Sequence, residues 1–397
     1  MSNILIGITG GIAAYKIPQL CRHFLLNGHN VKVIMTENAA KFISPLTFES
    51  LTGNRVYTDD FERYIEPENI KHINLSEWAD IFIIAPASAN TIGKMANGIA
   101  DNLLTSSILA YDSAKPIVVA PAMNSKMYKN KIFQRNLEVL KENGFHIIEP
   151  ITGILACKDE GVGKMVEPED IYLYCKQFLK KSDMLKGKRV LVTAGPTIEH
   201  IDPVRFISNR SSGKMGFAIA ESAFENGADV TLISGPTLLK TFVHKKEVSS
   251  ADEMYWEVMN RINDIDILIM AAAVADYKVE NYSEEKIKKS SENLTLKLVK
   301  NKDILKEASK FKRDNQIFVG FAAESHNVEK NAINKMKEKK LDLIVANDIS
   351  RKDIGFDSND NEVNIYFNSG DKIKIDKMDK KKVADKIIKI ISDLIIR

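Results

Sequence analysis

The run Asn3-Ile-Leu-Ile-Gly-Ile-Thr9, followed at once by Gly10 and Gly11, has the pattern of a buried strand that ends in a glycine turn. The run Lys188-Arg-Val-Leu-Val-Thr-Ala-Gly195 opens the second half of the chain in the same way. Neither run alternates apolar with polar residues, and a helical segment follows each, which is typical of strands covered on both faces of a parallel sheet. The sequence therefore predicts an α/β fold with two doubly wound, Rossmann-like parallel-sheet domains in tandem.

The length of the chain and the junction between its halves indicate where the domains divide. A chain of 397 residues is long for a single hydrophobic core. The polar stretch from Leu179 to Gly187 stands just before the second opening strand. We therefore expect one domain at residues 1–180 and another at residues 188–397. The apolar spacing between Asp379 and Arg397 predicts a docked amphipathic helix at the end of the second domain.

Composition limits the partners and the location of the protein. The formal net charge of +3 is too small to indicate nucleic acid or an anionic membrane as the main partner. No apolar run approaches the ~18 residues of a membrane span, and the first residues lack the regions of a signal peptide. The cysteines and histidines show neither a disulfide framework nor metal-ligand spacing. We expect a cytoplasmic protein without a metal site of its own.

Small and hydroxyl residues follow the predicted strands of the first half. Gly10 and Gly11 would let backbone N–H groups approach a phosphate at a helix N-terminus, although such turns also serve as plain strand-to-helix connections. The turn matches neither the dinucleotide pattern nor the P-loop pattern. Thr36 and the segment Ala85-Pro-Ala-Ser-Ala-Asn-Thr91 add hydroxyls and an amide at the same edge of the sheet. A cofactor with a single phosphate fits these residues better than a dinucleotide does.

Three further features of the first half resemble a known family. They are His72, Asn124 in the segment Pro121-Ala-Met-Asn-Ser-Lys-Met-Tyr128, and Cys157 in a glycine-punctuated stretch. Each is ordinary alone, because a lone histidine or cysteine is more often structural. Together with the glycine turn they resemble the flavin-containing cysteine decarboxylases, specifically phosphopantothenoylcysteine decarboxylase, over nearly all of residues 1–178.

This resemblance implies FMN as the cofactor and a role for each residue. In the family scheme, flavin oxidises the cysteine thiol of the substrate, carbon dioxide leaves, and reduced flavin and a proton donor complete the reaction. His72 would be the base, Asn124 would hold the substrate carboxylate, and Cys157 would cover the site and supply the final proton. Lys158 departs from the glycine that is usual after this cysteine. The residues implied in FMN binding are Gly10, Gly11, Ile12, Ala13, Thr36, Ser88, Asn90 and Thr91.

The second half contains a segment between Gly195 and Phe217 that is too long for an ordinary βα connection. It includes Asp202-Pro-Val-Arg-Phe-Ile-Ser-Asn-Arg-Ser-Ser-Gly-Lys-Met-Gly216. With the later segments Ala271–Tyr277, Glu285–Lys289 and Lys300–Asp303, it resembles phosphopantothenate–cysteine ligase of the bacterial, fused type. By itself, the charge run around Lys286 is more often a solvated face.

The second resemblance implies that CTP activates the carboxylate of 4′-phosphopantothenate as an acyl-cytidylate, from which the cysteine amine displaces CMP. Because two anions meet in the first step, cationic side chains and Mg²⁺ are needed to neutralise phosphates. Asn209 and Lys286 would be catalytic. Lys302 stands where proline is more usual. The residues implied in substrate and nucleotide binding are Arg205, Ala271, Ala272, Asp276, Lys286, Lys300, Asn301, Lys302, Asp303, Phe321, Lys335 and Lys339.

The resemblances also imply a homo-oligomer, with trimeric flavin domains and dimeric ligase domains, that binds small molecules rather than nucleic acid or membrane. One alternative is a flavoprotein with a regulatory binding role. That alternative predicts the loss of His72, Asn124 or Cys157, and all of them are present. Another is a pair of nicotinamide dehydrogenase domains, against which the missing dinucleotide pattern argues.

Overall fold

The computed structural model describes residues 1–58, 70–154, 160–179, 182–288, 294–324, 326–348 and 358–396. Its contacts divide the chain into two compact units, residues 1–179 and 180–397. Each unit has its own central sheet with helices on both faces. None of the described helices combines the length and the apolar character needed to cross a bilayer.

The central sheet of the first unit has six parallel strands. They are β1 (Asn3–Ile8), β2 (Asn30–Met35), β3 (Val56–Tyr57), β4 (Ile81–Ala87), β5 (Ile117–Pro121) and β6 (His146–Ile147). Their order is β3-β2-β1-β4-β5-β6, so the chain builds outward from β1 and then returns to place β4 on its other side. At this reversal the crossover connections diverge, which leaves a crevice at the carboxyl ends of β1 and β4.

The side chains of β1 alternate between two apolar cores. Ile4, Ile6 and Ile8 pack into one core, and Leu5 packs into the other. Because helices cover both cores, β1 is buried on both faces, which explains its uninterrupted apolar run. The helices of the unit are α1 (Ile17–Leu26), α2 (Glu37–Ala40), α3 (Pro45–Thr52), α4 (Lys71–Trp78), α5 (Ala89–Ala96), α6 (Leu103–Leu109), α7 (Ser125–Tyr128), α8 (Lys131–Glu142) and α9 (Pro168–Cys175), with 3₁₀ helices at Ile12–Lys16 and Lys176–Phe178.

An antiparallel pair of strands lies outside this sheet. It consists of β7 (Ile151–Ile154) and β8 (Glu160–Lys164). β8 packs beside α7, so the pair contacts the segment that follows β5. In the sequence, Cys157 and Lys158 come after β7 and before β8, and both are outside the described residues.

The central sheet of the second unit has eight strands. The strands of this unit, including two small antiparallel pairs, are β9 (Arg189–Ala194), β10 (Ile198–His200), β11 (Phe206–Ser208), β12 (Asp229–Ser234), β13 (His244–Glu247), β14 (Ile267–Met270), β15 (Tyr277–Val279), β16 (Leu298–Lys300), β17 (Ile317–Glu324), β18 (Leu343–Asp348), β19 (Asp360–Phe367) and β20 (Lys372–Asp379). The order is β13-β12-β9-β14-β17-β18-β19-β20, and the neighbours from β13 to β18 are parallel. The predicted doubly wound parallel sheet is thus confirmed in each half.

Two strands at one edge of the second sheet depart from the purely parallel prediction. β19 runs antiparallel to β18, and β20 runs antiparallel to β19. A tight turn joins β19 to β20, with Gly370 at a φ of 96° and a hydrogen bond from the Gly370 N–H to the Phe367 carbonyl. A connection this short reverses the chain, because a parallel pairing needs a long crossover.

The predicted amphipathic helix at the end of the chain is confirmed. The helices of the second unit are α10 (Lys214–Glu225), α11 (Ala251–Met259), α12 (Ile304–Ala308), α13 (Val328–Glu338) and α14 (Lys380–Ile396), with a 3₁₀ helix at Ser309–Phe311. Val383, Ile387 and Ile391 of α14 are fully buried in the core that also contains the apolar face of α10. The helix is therefore part of the second unit's core.

We predict that Ile387→Ala lowers the free energy of unfolding of the second unit by about 2–5 kcal/mol, because it removes methyl groups from a site that is fully buried. Urea denaturation of the whole chain, followed by circular dichroism, measures the change. The neighbouring Lys386 is exposed, so Lys386→Ala serves as the matched control and should leave the unfolding curve in place. Coinciding curves for the two variants would contradict the packing of α14.

Candidate functional site

A cavity of about 1040 Å³ lies at the carboxyl ends of the strands in the first unit. Every residue that the sequence analysis assigned to the cofactor lines this cavity, and Asn124 lines it too. These cofactor residues are Gly10, Gly11, Ile12, Ala13, Thr36, Ser88, Asn90 and Thr91. The structure therefore brings together, around one space, segments that are far apart in the sequence.

Thr9, the residue that follows β1, connects two of the strands that end at the cavity. Its side chain is almost completely buried. The Thr9 hydroxyl donates a hydrogen bond of 2.6 Å to the carbonyl of Pro86 and accepts one of 2.8 Å from the N–H of Ser88. Thr9 thus ties the end of β1 to the end of β4. The sequence analysis missed this residue, although a hydroxyl at the end of an apolar run was a visible signal.

Several helix N-termini reach the cavity through their N-cap residues, among them those of α5 and α2. Ser88 caps α5, accepting a hydrogen bond from the N–H of Thr91, and its hydroxyl lies 3.2 Å from the Thr91 hydroxyl. Thr36 caps α2 in the same manner. On the glycine turn, a Cβ at Gly11 would meet no atom within 4 Å, so its backbone borders open space. Hydroxyls, backbone N–H groups and a helix N-terminus form a cradle suited to one phosphate.

The cations that line this cavity are paired with carboxylates. Lys16 Nζ donates to Glu167 at 2.7 and 2.9 Å, and Lys164 Nζ lies 3.5 Å from the same carboxylate. Lys94 Nζ donates to Asp101 at 2.6 Å. The hydrogen bond from Lys16 is the main reason that the pKa of Glu167 lies below its usual value. None of these lysines was predicted from the sequence, and the partner of Lys16 is 151 residues away in the chain.

Asn124, His72 and Cys157 have different placements. Asn124 is the N-cap of α7, and its Oδ1 accepts a hydrogen bond of 2.8 Å from the N–H of Lys126, which fixes the orientation of its amide. His72 lies in the first turn of α4 and is not among the described residues that line the cavity of its own chain. Cys157 lies outside the described residues.

A second cavity, of about 750 Å³, lies at the carboxyl ends of β14 and β17 in the second unit. Most residues that the sequence analysis assigned to the nucleotide line it. They are Ala272, Asp276, Lys300, Asn301, Lys302, Asp303, Phe321, Lys335 and Lys339. Lys306 and Glu338 also line this cavity, and the sequence analysis missed both.

Asp303 and Asn301 organise the polar wall of the second cavity. Asp303 caps α12 and accepts a hydrogen bond of 3.0 Å from Lys339. Burial acts to raise the pKa of Asp303, but the donors Lys339 and the N–H of Lys306 outweigh it and lower that pKa. Asn301 donates to the Ala275 carbonyl at 2.8 Å, while its Oδ1 is buried without a partner in the described part of the chain.

Lys302 rests on two aromatic rings at the same cavity. Its Nζ lies 4.3 Å from the ring centroid of Tyr255 and 5.1 Å from that of Trp256. Attraction between the ammonium and the ring faces holds such a cation in place. The lysine that departs from the family pattern is therefore anchored, and its charge lies in the lining of the cavity.

Arg205, Asn209, Ala271 and Lys286 are not among the described residues that line this cavity. Asn209 is nevertheless adjacent to it, since its Nδ2 donates to the carbonyl of Val274, a lining residue, at 2.9 Å. Ala271 follows β14 directly, and its N–H donates to the Thr193 carbonyl. Lys286 is exposed, in a loop held by the contacts described next.

Asp202 joins the loop of Arg205 to the loop of Lys286. Its fully buried carboxylate accepts from the N–H groups of Val204 and Arg205 at 2.8 Å and from the N–H of Ile287 at 3.2 Å. Burial acts to raise the pKa of Asp202, but these N–H donors and the Arg205 guanidinium, 3.0 Å away, lower it. Arg205 also donates to the Ile287 carbonyl.

The described residues contain no group of three or more His, Cys, Asp or Glu side chains placed to hold a metal ion. The absence of a metal site stays a prediction from the sequence. The polar side chains that line the two cavities carry hydroxyl, amide, ammonium and carboxylate groups.

Two family models match the chain. The model described as Flavoprotein matches residues 1–180. The model described as DNA/pantothenate metabolism flavoprotein C-terminal domain matches residues 185–395. The matched segments each contain one of the two cavities.

Known proteins are similar to this chain over nearly its whole length. Coenzyme A biosynthesis bifunctional protein CoaBC of Bacillus subtilis (strain 168) is 46% identical over 397 residues, which are 99% of this chain and 97% of that protein. The protein of the same name from Escherichia coli (strain K12) is 43% identical over 376 residues, 94% of this chain and 92% of that protein. A solved structure, the FMN binding protein AtHal3, is 40% identical with a TM-score of 0.40, covering 43% of this chain and 92% of that chain.

We predict that Asp202→Ala accelerates hydrogen exchange of the Ile287 amide by about tenfold or more, because the mutation removes the carboxylate that accepts its N–H. Mass spectrometry of peptides from exchanged protein measures the rate. Glu284 is an exposed acidic residue of the same loop. Glu284→Ala is therefore the control, and it should leave the exchange rate of the Ile287 amide unchanged. Equal protection in the two variants would show that Asp202 does not hold this loop.

Proposed function

This chain belongs to the family of coenzyme A biosynthesis bifunctional proteins, and on that premise we propose that its two units catalyse consecutive reactions. Residues 188–397 join 4′-phosphopantothenate to cysteine at the expense of CTP, and residues 1–180 decarboxylate the product to 4′-phosphopantetheine with FMN. One observation carries the proposal. Each unit has a cavity at the carboxyl ends of its strands, and the polar groups of each cavity match the ligand proposed for that half.

The first cavity fits FMN. Its Ser88 and Thr91 hydroxyls, the N-terminus of α5 and the backbone at Gly11 supply donors for one phosphate. Its volume of about 1040 Å³ leaves room for a flavin ring and a substrate. When bound, FMN supplies the oxidation of the substrate's cysteine thiol that makes decarboxylation possible. The Flavoprotein family model over residues 1–180 supports this assignment.

Asn124 holds the substrate carboxylate in this proposal. Asn124 lines the cavity, and its amide is oriented by the hydrogen bond that its Oδ1 accepts from the N–H of Lys126. A neutral amide orients a carboxylate without adding a positive charge that would oppose the loss of carbon dioxide. His72 is proposed as the base and Cys157 as the proton donor. A site shared between copies of the chain would account for the position of His72 outside its own chain's cavity, and the predicted trimer would provide it.

The second cavity fits a nucleoside triphosphate. Lys300, Lys302, Lys335 and Lys339 lie in its lining and would neutralise the phosphates as the acyl-cytidylate forms. The buried Oδ1 of Asn301 lacks a partner among the described residues, and the exocyclic amine of a nucleobase is a donor that would satisfy it. Cytosine and adenine both carry this amine, so the choice of CTP rests on the family resemblance.

Mg²⁺ is proposed to enter with CTP rather than to occupy a preformed protein site. Mg²⁺ retains water and binds through one or two carboxylates together with substrate phosphates. Asp276 and Asp303 provide carboxylates in the cavity lining, and the described residues offer no larger cluster. The donor set of the second unit is therefore compatible with a nucleotide-borne magnesium ion.

Asn209, Lys286 and Arg205 are proposed to act at the acyl end of the nucleotide. Asn209 is fixed at the cavity rim by the carbonyls of Ala273 and Val274. Arg205 and the loop of Lys286 are joined through Asp202, which holds this loop next to Arg205. The predicted dimer of ligase domains and the cytoplasmic location stay predictions.

We predict that the purified chain converts phosphopantothenate, cysteine, CTP and Mg²⁺ to phosphopantetheine, CMP and carbon dioxide in a mass-spectrometric time course. Lys286→Ala should slow CTP consumption by about 10²-fold or more while still decarboxylating added phosphopantothenoylcysteine. Asn124→Ala should show the reverse and accumulate phosphopantothenoylcysteine. Each variant is thus the control for the other.

The time course separates the two halves of the proposal. If wild-type protein consumes no CTP, the second unit acts on another substrate. If it accumulates phosphopantothenoylcysteine without carbon dioxide despite bound flavin, the first unit is not the decarboxylase. Wild-type rates in both variants would remove the roles of Lys286 and Asn124 and leave the reactions standing.

A further inference from the structure

We propose that Gly161 of β8 is a positioning residue for decarboxylation, because its missing side chain allows Ser125, and hence Asn124, to take the position required at the flavin cavity. The inference rests on the proposed function, since it assumes that Asn124 contacts the substrate. Gly161 is one of several glycines in the stretch that contains Cys157, and nothing in the sequence pattern distinguishes it from the others.

β8 lies directly against the segment that contains Asn124. The N–H of Met123 donates a hydrogen bond of 3.0 Å to the carbonyl of Gly163. A Cβ at Gly163 would lie 2.3 Å from the Met123 carbonyl oxygen, and the residue has a φ of +139°. Both the conformation and the contact therefore require glycine at position 163. Through this contact β8 packs against Met123 and forms part of the cavity lining.

Gly161 makes the second close approach, and here the backbone conformation is not the reason. Its φ lies outside the positive range, so alanine could adopt it without backbone strain. A Cβ at Gly161 would lie 2.6 Å from Ser125 Oγ and 2.9 Å from Ser125 Cβ. Atoms at these distances overlap, so a methyl group at position 161 displaces Ser125 or the strand.

Ser125 transmits this displacement to the substrate site. It is the first residue of α7, and Asn124 is the N-cap of that helix. The Asn124 Oδ1 is oriented by the N–H of Lys126, one residue beyond Ser125. A shift of Ser125 therefore moves the backbone on both sides of it and rotates the amide that lines the cavity. Misplacement by about 1 Å can reduce a rate by about 10²-fold.

Gly153 offers a matched control in the same pair of strands. It is the cross-strand partner of Gly161, and its φ is likewise not positive. A Cβ at Gly153 would meet only Lys164 Cδ within 4 Å, at 3.4 Å, which is an ordinary van der Waals contact. Gly153→Ala thus adds the same methyl group to the same hairpin, with the same effect on the unfolded chain, and does not touch Ser125.

The test compares full-length wild type, Gly161→Ala, Gly153→Ala and the double variant Gly161→Ala/Ser125→Gly. The double variant removes both Ser125 atoms that the new methyl group would overlap. For each protein, kcat and KM are measured for decarboxylation of added phosphopantothenoylcysteine, together with flavin per chain by absorbance and CTP-dependent ligation. Asn124→Ala is run beside them.

We expect Gly161→Ala to lower kcat for decarboxylation by about tenfold or more, with flavin content and ligation unchanged. Gly153→Ala should stay within about twofold of wild type, and Ser125→Gly should restore most of the activity lost in Gly161→Ala. The restoration is the readout that a general loss of structure would not produce.

Two outcomes would overturn the inference. Equal kcat values for Gly161→Ala and Gly153→Ala would show that the contact has no influence on catalysis. A loss of activity or of flavin in Gly161→Ala that Ser125→Gly does not restore would assign the defect to the hairpin itself. Full activity in Asn124→Ala would instead remove the proposed role of Asn124, which distinguishes failure of the premise from failure of the positioning.

Discussion

The hydroxyl of Thr9 connects the two strand ends on which the first cavity depends. It is buried between β1 and β4 and exchanges hydrogen bonds with the Pro86 carbonyl and the Ser88 N–H. The chain continues from Thr9 into the glycine turn, and it continues from the end of β4 into the N-terminus of α5. Since leaving such buried partners unpaired costs about 1–3 kcal/mol, these hydrogen bonds fix the spacing between the glycine turn and the N-terminus of α5. The crevice that the strand order creates thereby becomes a cavity of defined width.

In the second unit, too, buried threonine hydroxyls connect the ends of neighbouring strands. Thr193, near the end of its first strand, accepts a hydrogen bond of 3.2 Å from the N–H of Ala272, the second residue after β14. Thr197 accepts one of 3.0 Å from the N–H of Ala275. Both threonines are fully buried. In each unit, therefore, buried hydroxyls make the transition from an apolar sheet to a polar rim, where backbone N–H groups would otherwise be left without partners.

The sequence was most informative where strands are buried on both faces. The runs at β1, β4, β9 and β14 are continuous and apolar because helices cover both sides of the sheet. β19 alternates buried and half-buried residues, so it was not predicted from continuous apolar runs. The pair formed by Lys16 and Glu167 was equally hidden, because the two residues are 151 positions apart in the chain. The residues assigned to the cofactor and the nucleotide were predicted from motifs. Which of them meet at a cavity depends on the order of the strands in each sheet, and the sequence pattern did not predict that order.

The charges of the two cavities differ in a way that suits the two reactions. In the first, Lys16, Lys94 and Lys164 each lie beside a carboxylate, so little unpaired positive charge faces the substrate. In the second, Lys306 and Lys339 pair with Glu338 and Asp303. Lys300, Lys302 and Lys335 add further positive charge to its lining, which favours a polyanion such as a triphosphate. A decarboxylase gains nothing from binding the carboxylate more tightly before it leaves than while it leaves, because only stronger binding in the transition state raises the rate. In the proposed role of Asn124, a neutral amide held in place by its neighbours meets that requirement better than a lysine would. The precision of its placement then matters more than the strength of its attraction.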